Sequence, residues 1–104
     1  MLAIEQHREN PGPQDPMAER GYVTEAFVIE AAERTGLRLA ARSEINANPK
    51  DTKDHPFGVW TLPPTRITVP YGSGKAPDPN FDRSKYDAIG ESDRMTLRFV
   101  KAIP

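Results

Sequence analysis

The stretch Thr24-Glu25-Ala26-Phe27-Val28-Ile29-Glu30-Ala31-Ala32-Glu33-Arg34-Thr35-Gly36-Leu37-Arg38-Leu39-Ala40-Ala41-Arg42-Ser43 decides the fold, because its hydrophobic period changes once, at a glycine. Before Gly36 the spacing is helical. Phe27, Val28, Ala31, Ala32 and Thr35 recur on one stripe, while Glu25, Glu30, Glu33 and Arg34 face solvent. Thr24 is a good N-cap, and Val23 stands where a hydrophobic staple to Val28 is expected. Glu30 and Arg34, four apart, make a weakly stabilising pair. The pattern predicts a helix over 24–35, closed by Gly36 in a left-handed C-cap. After Gly36 the period is two: Leu37, Leu39 and Ala41 alternate with Arg38, Ala40 and Arg42, which predicts a strand over 37–43 with one face buried.

Helix, glycine and strand make half of a strand-helix-strand unit. The other half lies upstream. Leu2-Ala3-Ile4 reads as the end of a buried strand, within a strand end spanning 1–8, with Glu5, Gln6, His7 and Arg8 emerging at its carboxyl end. Residues 9–21 form a polar loop marked by Pro11, Gly12, Pro13, Pro16 and Gly21. Downstream, Met95, Leu97 and Phe99 alternate with Thr96, Arg98 and Val100, so 94–102 reads as a second strand. Paired antiparallel with 37–43 it makes a hairpin. Its loop is the proline-rich insert 46–92, where Pro49, Pro56, Pro63, Pro64, Pro70, Pro77 and Pro79 exclude long regular elements. A short helix at 83–88 is the exception. Phe57, Val59, Trp60, Leu62, Ile67, Val69 and Tyr71 argue for a partly packed flap rather than disorder. The fold class is therefore α/β: strand, helix, then an antiparallel hairpin with a long insert, in one domain over 1–104.

Composition limits what such a chain does. Hydrophobic residues are only 37% of 104 residues, so the core is modest. A net charge of −1 steers it toward neither nucleic acid nor an anionic membrane, and no apolar run is long enough to span a bilayer. No cysteine is present, which excludes disulfides and thiolate chemistry. The first residues lack the pattern of a secretory signal, which leaves the cytoplasm as the default compartment.

Several residues carry possible chemistry. Ligands bind outside the carboxyl ends of strands in open α/β sheets, which singles out Glu5, His7 and Arg8, with His7 as a general base or hydrogen-bond partner. Ordinary loop polarity is the plain alternative. Asp51, Asp54 and His55 are close in sequence, but Lys50, Lys53 and Pro56 around them suit a solvated turn better than a metal site. A metal-dependent hydrolase would rest on those three residues alone. Gly72-Ser73-Gly74-Lys75 lacks the spacing of a phosphate loop and reads as a turn. Trp60 either covers a small-molecule pocket or anchors the flap. Asp93 opens the last strand, either contacting substrate or forming an ion pair with Arg94.

Five stretches together resemble a known family: Leu2-Ala3-Ile4-Glu5-Gln6-His7-Arg8; Gly21-Tyr22-Val23; Ser43-Glu44-Ile45-Asn46-Ala47-Asn48-Pro49-Lys50-Asp51; Gly58-Val59-Trp60-Thr61-Leu62-Pro63-Pro64; and Gly90-Glu91-Ser92-Asp93-Arg94-Met95-Thr96-Leu97-Arg98-Phe99. They resemble the C-terminal part of class I S-adenosylmethionine-dependent methyltransferases, and within these a bacterial group of predicted methyltransferases. The resemblance implies a Rossmann-like sheet whose fifth strand, last large helix, sixth strand and antiparallel seventh strand are these elements. It also implies S-adenosylmethionine as cofactor of the full-length family and methyl transfer to a small-molecule substrate. The glycine-rich turn and the acidic residue that hold the cofactor belong to earlier strands, so no cofactor-binding residue carries over and this segment alone is expected to bind none. On this analogy His7 and Glu5 become the catalytic candidates, and Arg8, Trp60 and Asp93 the substrate-binding ones. Met1 falls where the fifth strand is already under way, which suggests a truncated chain or a misplaced gene start. The other reading is a non-enzymatic module that pairs with another chain, either a missing N-terminal half or a second copy, through the free edge of its first strand.

Overall fold

The computed structural model describes residues 1–102. Three strands form one sheet: β1 (Leu2–His7), β2 (Leu37–Ser43) and β3 (Arg94–Lys101). Helix α1 (Glu25–Arg34) joins β1 to β2, and a short helix α2 (Ser84–Ile89) precedes β3. The last strand inserts between the other two, so the sheet order is β1-β3-β2. β3 runs antiparallel to both neighbours, which makes β1 and β2 parallel to each other. The expected antiparallel pairing of 37–43 with the last strand is present, with a bulge between Leu39 and Ala41. The first strand is longer than its apolar residues suggested, because polar Glu5, Gln6 and His7 continue the ladder opposite Thr96, Met95 and Arg94.

Local chemistry sets the ends of α1. The Thr24 hydroxyl accepts the Phe27 amide at 3.1 Å, satisfying one of the free donors at the helix start. The chain leaves through Thr35 and through Gly36 at φ +88°. The inward stripe differs from the expected one. Ala32 is buried against Met95, Leu97 and Phe99, with Val28 and Ile29 packed beside it. Phe27 is half exposed and Ala31 is exposed. Two adjacent apolar faces, 27/31 and 28/29/32, both fit the helical period, and the sheet selects the second. The helix packs on the sheet as anticipated, turned by about one residue, roughly 100° at 3.6 residues per turn. Burying side chains such as Leu97 and Phe99 contributes about 1.5–3 kcal/mol each.

The insert is partly packed, as its aromatic content implied. A single 3-10 turn, Gly58–Thr61, buries Val59 and Thr61, and Leu62 follows it into the interior. Phe57, Phe81 and Tyr86 form an aromatic chain with ring centroids 5.6 Å apart at each step. Gly58 is the hinge of this docking. It sits at φ +65°, and a Cβ there would lie 2.7 Å from the Arg20 carbonyl oxygen that accepts the Val59 amide. Left-handed backbone costs a residue with a Cβ about 1–2 kcal/mol, and the contact with rigid backbone adds to that. Gly58→Ala is therefore expected to lower the melting temperature clearly more than Gly72→Ala, whose Cβ meets open space. Thermal unfolding followed by circular dichroism compares the two.

Candidate functional site

The carboxyl end of β1 is where the polar residues gather, and the chain divides there. Backbone alternation sends Arg8 and His7 to different partners. Arg8 reaches Asp93 through two parallel bonds, Nε to Oδ2 and Nη2 to Oδ1, each 2.9 Å. The same guanidinium bonds Glu25 of α1 at 3.3 Å and Glu44 beyond β2 at 2.8 Å. Lys53 of the insert closes on Asp93 at 3.0 Å, and the Asn48 amide donates to Asp93 at 2.8 Å. One hub thus ties β1, α1, the end of β2, the insert and the start of β3. A cleft of about 540 Å³ opens beside it. Arg8, Lys53 and Arg42 line it together with Glu9, Glu25, Glu44 and Asp93, so its charges nearly cancel.

The electrostatics follow from this geometry. Burial opposes ionisation of Asp93, but the Arg8 guanidinium, the Asn48 amide and the Lys53 ammonium outweigh it and hold the carboxyl well below the usual range. Bonds to Asp93 and then to Glu44 keep Arg8 firmly protonated.

Glu5 and His7 lie apart from this cleft. They share a shallow groove with Gln6 and Arg94. His7 Nδ1 meets the Ser92 hydroxyl at 2.5 Å, and the ring stands edge-on to Tyr22. Burial first, and the Arg94 charge second, lower the His7 pKa below its ordinary 6.5. The imidazole is neutral at neutral pH, with Nε2 free of protein partners among the described residues. A lowered folded pKa means the unfolded chain binds the proton more readily, so stability declines as pH falls below about 6.5. His7→Gln should flatten that decline between pH 7 and 5, read from urea midpoints at each pH.

Trp60 joins neither group. It stacks on Tyr71 at 4.7 Å and 22°, and its ring edge packs close to Gly21, so it fixes the insert against the loop before α1. It also lines a second cleft of about 380 Å³ with Arg20 and Phe57.

The sequence missed a buried polar network centred on Asp51. Asp51 and His55 are buried, which corrects the solvated turn expected there; Asp54 alone fits it. Asp51 Oδ2 accepts the Tyr22 hydroxyl at 2.8 Å and the Asp93 amide at 2.9 Å. Its Oδ1 accepts the Lys53 amide at 3.0 Å and pairs with His55 Nε2 at 2.7 Å. Desolvation, and then the bond to Asp51, push the Tyr22 phenol far above its usual pKa, so it remains a donor. The i, i+4 spacing of Asp51 and His55 was a signal that the solvated-turn reading passed over. Among the described residues no three His, Cys, Asp or Glu side chains are placed to hold a metal ion. Nor is any helix among them long and apolar enough to cross a membrane.

These features define a small α/β unit with one half-covered sheet and a charged hub at the end of its first strand. No protein-family model, no curated protein and no solved structure matches the chain.

Proposed function

We propose that the chain is the substrate-side segment of an S-adenosylmethionine-dependent methyltransferase domain with a Rossmann-like sheet. The observation that carries this reading is the strand arrangement. Two parallel strands are linked through α1, and a final antiparallel strand lies between them, in keeping with the antiparallel last strand that the sequence resemblance implies. The hub of Arg8 and Asp93 and the His7 groove both lie at the carboxyl end of β1, the side on which open α/β sheets bind ligands.

The residues present do not fit the cofactor by themselves. The cleft at Arg8 is lined by seven charged residues beside Pro11, Ala26 and Ile29, and its strongest polar groups, Arg8 and Asp93, are already bonded to each other. The loop after β1 offers Gly12 between two prolines rather than a glycine-rich turn. In this reading a separate cofactor-binding half supplies the methyl donor, and this segment contributes substrate positioning. Arg8 holds Asp93 in one orientation. His7, neutral and anchored through Ser92, is the base that takes a proton at Nε2 when the acceptor needs one.

Calorimetry tests the division of labour. The chain alone should give no binding heat with S-adenosylmethionine, and stoichiometric micromolar binding would overturn the proposal. In a full-length relative, His7→Ala should lower kcat with a changed pH profile. Unchanged turnover at every pH removes His7 from the mechanism.

A further inference from the structure

The outer edge of β1 is half occupied, and the occupied half reveals which backbone groups remain free. At its carboxyl end the loop before α1 lies alongside as a parallel bridge between Arg8 and Val23. The Val23 amide donates to the His7 carbonyl at 3.0 Å, and the Glu9 amide donates to the Val23 carbonyl at 2.8 Å. The Arg8 amide instead points inward to the Asp93 carbonyl at 2.9 Å. Successive residues of a strand turn their backbone groups to alternate sides, so odd residues of β1 face the outer edge and even residues face β3. The His7 amide, on the outer side, is already bonded to the Gln6 side chain at 2.8 Å. Among the described residues, what remains open along Leu2–His7 is the N–H and C=O of Ala3 and of Glu5.

These two residues are symmetric about Ile4. We infer that β1 pairs antiparallel with β1 of a second copy of this chain, about a two-fold axis through Ile4. In that register the Ala3 amide donates to the Glu5 carbonyl of the second copy, and the Glu5 amide donates to its Ala3 carbonyl. The two-fold axis repeats both bonds, and every free backbone group of the edge is satisfied. The pairing stops short of the Val23 bridge on each side. Ile4 faces Ile4 of the second copy as a non-hydrogen-bonded pair, the kind in which side chains approach most closely. Ile4 sits on the helix-covered side, against the cluster of Leu97 and Phe99, so the two apolar cores become continuous.

Charge selects the register. An axis through Glu5 sets two carboxylates directly opposite each other, which is destabilising. An axis through Ile4 sets each Glu5 opposite an alanine. Three devices that block such pairing are absent, since no proline, lysine or bulge lies within Leu2–Gln6; the Val23 loop covers only the carboxyl end, and Glu5 is the one charge on the open part. Leu2 is 40% exposed at this edge and is covered by the second copy. A two-fold contact is self-limiting, so the product is a dimer and not a filament. The inference concerns this chain on its own and is argued without the methyl-transfer reading; a cofactor-binding half that extended the sheet at this edge would take the place of the second copy.

Light scattering coupled to size exclusion tests it across micromolar concentrations. The expected mass is twice that of the monomer. A monomer throughout, or a mass that keeps rising with concentration, overturns the inference. Ala3→Pro removes an outward N–H without touching the ladder to β3. It should raise the concentration of half-dissociation about tenfold or more, from two lost bonds worth about 1 kcal/mol each. A dimer unaffected by Ala3→Pro places the contact elsewhere and also overturns it. The natural chain has no cysteine, so single thiols report the register. Ile4→Cys should cross-link to itself on mild oxidation and Leu2→Cys should not; the reverse pattern rejects the axis through Ile4. Calorimetry with S-adenosylmethionine is blind to all of these outcomes, so the two proposals fail separately.

Discussion

Asp51→Ala is expected to leave the chain largely unfolded at room temperature. The carboxylate is buried and accepts from Tyr22, His55 and the backbone amides of Lys53 and Asp93. Removing it strands the buried donors of Tyr22, His55 and Asp93 and leaves the half-buried Lys53 amide without its partner. Each unsatisfied buried group costs about 1–3 kcal/mol, while a domain of this size holds only about 5–15 kcal/mol in total. A polar chain with a small core sits toward the lower end of that range. Asp51→Asn should be nearly as damaging, because its amide nitrogen has to face donors on one side. Far-ultraviolet circular dichroism and urea titration measure both variants. If Asp51→Ala melts within about 1 kcal/mol of the natural chain, Asp51 is not the tie between the insert and the sheet.

Asp93→Ala ranks next. Asp93 is buried and compensates both Arg8 and Lys53, whose own side chains are largely covered. Breaking a buried pair by removing one partner costs about 3–5 kcal/mol, because the remaining charge stays behind uncompensated. Here two cations lose their common partner, although Arg8 keeps Glu25 and Glu44, which softens the loss. The same carboxylate gives an acid signature. Its folded pKa is depressed, so its contribution is fully present above the unfolded value of about 3.9 and is lost as pH falls through the folded value. The natural chain should lose stability steeply below pH 4, and Asp93→Asn should be weaker at pH 7 but lose less on acidification. Denaturant midpoints at pH 7 and pH 3 give the comparison. Parallel losses in the two proteins would show that Asp93 does not drive the acid response.

What was legible in the sequence was local. Thr24, Gly36 and the change of period between them placed α1 and β2, because capping and periodicity act within a few residues. Alternation placed β3. The phase of α1 was not legible. Phe27 with Ala31 and Val28 with Ala32 fit apolar stripes one residue apart, and only the surface of β3 chooses between them. The 1–8 span of the first strand was legible, but not its exposure: Leu2 and Ala3, read as the end of a buried strand, are exposed because the sheet stops at this edge. The hub was hidden for a different reason. Arg8 and Asp93, like Tyr22 and Asp51, are distant along the chain and close only after folding. No spacing rule links a strand end to a proline-rich insert. The polar residues expected to act together at the end of β1 were identified individually, but their division into the Arg8 and His7 sides depends on strand alternation, which only the pairing with β3 reveals.

The methyltransferase reading stands or falls on a second half that binds the cofactor. Sequencing the transcript from its 5′ end, with translation in the frame of Met1, tests this most directly. The reading predicts upstream codons for a strand, a glycine-rich turn and a helix in the same frame, or the same motif in the adjoining gene. A stop codon immediately before Met1, with no such motif in the adjoining gene, contradicts it.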